Sequence, residues 1–137
     1  MVEGTLVATG IEVGRRLYGN LRSDSRLRVE ACFWWTEGEE CRLHIATPLA
    51  HEQGLLHIFR LGRQVLQEQG APEDVKELFE RTKFVSPSYS LIRVLDSGSG
   101  GKPPLNRWLD REGLGGVYVE GAYFYYFEPR TFMAVER

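Results

Sequence analysis

Apolar and polar positions alternate with a period of two over Leu27–Thr36 and again over Cys41–Thr47. That period belongs to strands, whose successive side chains point to opposite faces. Leu27, Val29, Ala31, Phe33 and Trp35 fall on one side of the first segment, and Arg28, Glu30, Cys32, Trp34 and Thr36 on the other. Glu37-Gly38-Glu39 reads as the short loop of an antiparallel return. The register that gathers the apolar residues on one face pairs Trp35 with Cys41, Phe33 with Leu43, Ala31 with Ile45 and Val29 with Thr47. A slip of one residue sets Leu43 opposite Trp34 and mixes the faces, so the first register is the expected one.

Elsewhere the helical period dominates. Over Thr5–Leu21 the residues Leu6, Val7, Ile11, Val13, Leu17, Tyr18 and Leu21 share one broad arc, opposite Glu12, Arg15, Arg16 and Asn20. Gly10 and Gly14 lie inside that arc and form a flat strip. Such a strip allows close packing on this protein's own sheet or a helix–helix seam between two copies. A second helix is predicted over His51–Gln69, with Leu55, Ile58, Phe59, Gly62, Val65 and Leu66 as its buried stripe. Gly70 fits a position just past a helix end, and Pro72 opens a third helix, with Glu73 and Asp74 in its first turn and Val75, Leu78 and Phe79 inward.

Ser86-Pro87-Ser88 breaks the chain, and the β-branched Ile92 and Val94 predict a strand over Tyr89–Leu95. Asp96–Pro104 reads as a mobile surface loop, and Leu105–Glu112 as a short helix stopped by Gly113. Val117–Phe127 is either one long strand bulged at Gly121 or a hairpin turning at Glu120-Gly121. The order α-β-β-α-α-β-(α)-β-β implies an α+β fold. Its expected form is a mainly antiparallel sheet of four or five strands with two or three helices packed against it, in one domain spanning 1–137.

Composition narrows the picture further. A chain of 137 residues can bury roughly 68% of its unfolded surface, enough for a core without staples. The net charge of −2 supplies no cationic field, which argues against nucleic acid or an anionic membrane as partner. Apolar runs reach about five residues against the roughly twenty of a membrane span. Cys32 and Cys41 are too few for a disulfide scaffold or a zinc knuckle. With no basic-then-apolar leader pattern at the start, the expectation is a cytoplasmic protein with free thiols and no cofactor.

Candidate chemistry is sparse. In the expected register Cys32 lies across from His44, raw material for an activated thiolate, although no third orienting group accompanies the pair. Trp34 lies across from Arg42 as a potential cation–π pair, and an outward Trp implies a face covered by a helix or a partner. His51 and His57 are six positions apart, not the spacing of a zinc-binding helix. Ser97–Lys102 resembles a phosphate loop, but Asp96 stands where its first glycine belongs and Pro103 where Ser or Thr must follow the lysine.

Tyr123 and Tyr125, on an aromatic strand with Phe127 expected on their face, suit a protein interface. The sequence therefore points to a domain that binds another protein or a second copy of itself rather than a catalyst. Trp34, Arg42, Tyr123, Tyr125, Gly10 and Gly14 are its expected contact residues. The alternative is a small-molecule-binding domain or enzyme with a site near Cys32, His44 and the 96–104 loop.

Overall fold

Turn chemistry sets the architecture from the first hairpin onward. The computed structural model describes residues 10–97, 102–114 and 116–130. Strand β1 (Ala31–Glu37) and strand β2 (Glu40–Ala46) are joined by two residues, Gly38 and Glu39, with Glu37 opposite Glu40. Gly38 has φ +65°, the left-handed conformation that tight hairpin turns demand and glycine adopts freely. A two-residue turn is one shorter than the expected loop, and it shifts the register by one. Phe33 faces His44, Trp34 faces Leu43, Trp35 faces Arg42 and Cys32 faces Ile45. The expected pairing is therefore corrected to the slipped one. Leu27 and Val29 also lie outside the strand, because a 3-10 turn at Ser25–Leu27 and a left-handed Arg28 (φ 51°) precede it.

The slipped register is tolerated because both faces are covered. Ala31 through Trp35 are all buried, so the alternation read as inside and outside separates two interiors. On one face Cys32, Trp34, Leu43 and Ile45 pack beneath helices; on the other Ala31, Phe33, Trp35 and Ala46 join a second cluster with Phe124 and Phe127.

The first layer comes from helix α1 (Ile11–Arg22), the short α2 (Leu49–Glu52), α3 (Leu55–Glu68) and α4 (Glu73–Glu80). Helix α1 buries Ile11, Gly14, Leu17 and Leu21, a helical stripe as expected; residues 5–9 of the predicted helix lie outside the described residues. The helix expected over His51–Gln69 is two helices. Gly54 at φ +91° breaks it, and Leu55, at the new start, is exposed while Ile58, Gly62, Val65 and Leu66 are buried. Gly70 does lie just past α3, with φ +65°.

The third strand is β3 (Lys83–Val85), parallel to β2. Tyr89–Leu95 is not a strand: helix α5 (Ser90–Ser97) occupies it, burying Ile92 and Leu95 three positions apart against the second cluster. Tertiary burial there outweighs β-branched propensity. Leu105–Glu112 is not a helix either. Asn106 has φ 61°, which no α-helix accommodates, and its N–H donates to the carbonyl of Phe124. Strand β4 (Trp108–Leu114) follows and pairs with β5 (Val117–Phe127), one strand of eleven residues. Of the 96–104 loop, residues 98–101 lie outside the described residues.

The sheet order is β3-β2-β1-β5-β4, antiparallel except for β2–β3. The fold is α+β: five strands in a mixed, mostly antiparallel sheet, in an order that roughly fits the one expected from the sequence.

Candidate functional site

Helix α1 is held on the sheet by a short polar relay inside an apolar layer. Trp34 Nε1–H donates to the Tyr125 hydroxyl at 2.9 Å, and that hydroxyl donates to the carbonyl of Ile11 at 2.7 Å. Tyr125 reaches this position because β5 is bulged there. Cys32 pairs with Tyr126 and Phe33 with Phe124, leaving Tyr125 as the extra residue. The bulge also swaps faces, so Phe127 joins Phe124 in the second cluster while Tyr123 and Tyr125 stay with the first. Phe127 therefore does not share a face with Tyr123 and Tyr125.

Gly14 completes the arrangement. A Cβ there would collide with the Tyr125 hydroxyl oxygen and sit 3.0 Å from Trp34 Nε1. The glycine in the apolar arc thus makes room for this protein's own side chains. Burial holds the Tyr125 hydroxyl protonated well above its usual range, against the lowering hydrogen bond from Trp34.

The relay leaves the start of α1 beside a groove of about 700 Å³, bordered by β2 and α4. Trp34, Leu43, Val13 and Leu78 supply its apolar surface, Glu77 and Arg81 of α4 supply charge, and Glu40 and Arg42 of β2 border it. Asp74 and Glu80 also line it, but their carboxylates already face Arg16 at 3.0 Å and Arg63 at 2.7 Å. The Arg63 hydrogen bond lowers the Glu80 pKa.

The strand bordering the groove is flanked by two others. β1 pairs with it from Glu40 to Ala46, and β3 with His44, Ile45 and Ala46. Thr47 N–H donates outward to the carbonyl of Val85, so the two-residue period aims the backbone groups of Cys41 and Leu43 toward the same outer edge.

The expected site residues are redistributed. Cys32 and His44 sit on opposite faces of the sheet and form no pair, because the two-residue turn shifts the register. Cys32 is wholly buried and its thiol is pushed far up by desolvation. Trp34 and Arg42 do not oppose one another, though both line the groove. The guanidinium–ring contacts nearby are Arg15 with Tyr123 and Tyr125, and Arg22 with Tyr126 at 4.1 Å. Trp34, Tyr123 and Tyr125 are buried within the chain, so they are not the outward aromatics the sequence suggested.

Gly10 borders the groove. Val13, Glu40, Leu43, Glu77, Leu78 and Arg81 were missed as site residues. They converge from α1, β2 and α4, segments far apart in the chain, which no local pattern brings together.

Among the described residues, no three His, Cys, Asp or Glu side chains are placed to hold a metal ion, and no helix is long and apolar enough to cross a membrane. The class the fold defines is α+β. Compared with protein-family models, curated proteins and solved structures, the chain matches none.

Proposed function

We propose that this chain is a protein-interaction domain that takes a segment of a partner, another protein or a second copy, into the groove between the start of α1, β2 and α4. The observation that carries the reading is that groove, whose lining joins apolar Val13 and Leu78 to the charged Glu77 and Arg81. The volume lies within the range of built ligand sites. Val13 and Leu78, over the buried Trp34 and Leu43, offer the apolar contacts, and the opposite charges of Glu77 and Arg81 suit a polar rim.

The test selects extended peptides from a displayed random library against the whole protein, then follows hydrogen exchange with the best binder. Slowed exchange at the amides of β2 and α4 that border the groove, with binding lost in Val13→Arg, is the expected result. A library that yields no binder, or binders that protect other amides and ignore Val13→Arg, refutes the proposal.

A further inference from the structure

The other face of the sheet holds a second concavity, unrelated to the groove. It lies between the start of α5 and the hairpin end of β1 and β2, has a volume of about 280 Å³, and is lined by Trp35, Glu37, His44, Tyr89, Ser90, Leu91 and Val94.

His44 is the unusual member. The residue is 6% exposed, and its ring stacks on Phe33 with centroids 5.3 Å apart. Its Nδ1 lies 3.0 Å from the carbonyl of Arg42. A carbonyl only accepts, so Nδ1 carries the proton and Nε2 presents a lone pair. Among the described residues Nε2 has no partner, yet it is not among the sealed, unpaired polar atoms of the interior. It therefore opens onto the pocket its ring helps to line.

Tyr89 supplies the complementary group. Lys83 Nζ donates to the Tyr89 oxygen at 3.0 Å, which leaves the tyrosine its own O–H to donate. Trp35 and Leu91 add apolar wall. The pocket thus offers the His44 acceptor and the Tyr89 donor between apolar walls and a polar side made by Glu37 and Ser90, at a volume just below the usual range for ligand sites.

We propose that this pocket binds a small, neutral, planar molecule that donates a hydrogen bond to His44 Nε2, of the class of primary aromatic amides and phenols. Water satisfies the lone pair in the free protein. A ligand that keeps the hydrogen bond and adds a flat apolar body against Trp35 gains on water through the walls. A molecule of the same shape without a donor leaves Nε2 buried and unpaired, and loses affinity for that reason.

The experiment titrates the whole protein, ¹⁵N-labelled, with benzamide, phenol and toluene, following the Trp35 indole and the His44 ring nitrogens. Benzamide and phenol are expected to bind saturably, shift both sets of resonances, and exceed toluene by about five- to tenfold. His44→Phe keeps a stacked ring but removes the acceptor, and should bring benzamide down to toluene. Val94→Trp, at an exposed position on α5, should block all three probes without touching the core. Equal binding of toluene, no binding at millimolar concentration, shifts confined to other residues, or full benzamide affinity in a folded His44→Phe protein would each overturn the proposal.

Discussion

Replacing Gly14 with alanine tests whether the Trp34–Tyr125–Ile11 relay fixes α1. On an exposed helix face this change stabilises by about 1 kcal/mol. Here the new methyl must displace the Tyr125 hydroxyl, which it would strike, and crowd Trp34 Nε1 at 3.0 Å. Losing both hydrogen bonds and leaving the indole N–H buried without an acceptor costs about 3 kcal/mol. Set against the gain in helix propensity, the net is a destabilisation of about 2 kcal/mol. For a chain of this size that is a fall in Tm of about 8 °C.

Urea unfolding of the wild type, Gly14→Ala, Tyr125→Phe and the double variant closes a cycle. Tyr125→Phe alone strands the indole N–H at a cost of about 1–2 kcal/mol. It also removes the hydroxyl the methyl strikes, leaving ring Cζ and Trp34 Nε1 each 3.0 Å from the added Cβ, so the double variant should lose less than the two effects summed, a coupling of about 1–2 kcal/mol. A Gly14→Ala protein as stable as wild type, or two effects that simply add, would refute the reasoning.

The titration of His44 gives a pH test. Burial lowers its pKa from 6.5 to about 4, opposed by the hydrogen bond to the carbonyl of Arg42. A depressed folded value means that its contribution is whole above pH 6.5 and is lost as pH falls toward 4, by about 3 kcal/mol. The urea midpoint should decline across that window, and less so in His44→Phe; identical pH slopes in the two proteins would exclude the assignment. Cys32 should resist iodoacetamide in the native state and react only on global unfolding, whereas the partly exposed Cys41 reacts earlier. Peptide mass mapping that finds Cys32 labelled as fast as Cys41 would contradict its burial. Gly62→Ala should destabilise by about 1–3 kcal/mol, since the added Cβ meets the Phe79 ring in close packing; thermal unfolding that shows no loss would count against the tight α3–α4 contact.

The sequence alone determined the α+β class, the rough element order, and the helices whose apolar residues recur at helical spacing: α1, most of α3, and α4. It located the first hairpin and the final strand because a strand's period of two is a local property. Three things lay beyond it. The hairpin register turned on one residue of loop length, and with both faces buried no hydrophobic pattern selected between the two pairings. Tyr89–Leu95 and Leu105–Glu112 exchanged their expected states, since α5 is fixed by burial on the second cluster and β4 by pairing with β5, both long-range contacts. The face of every residue near the end of β5 depended on the bulge at Tyr125, which serves a hydroxyl that must reach α1.

The same causes moved the site. Cys32 and His44 were separated by the register, Trp34 and Tyr125 were drawn inward by α1, and the groove was assembled from α1, β2 and α4, segments far apart in the chain. Local periodicity writes elements into a sequence. Which face of an element meets a neighbour is settled when the layers close on one another.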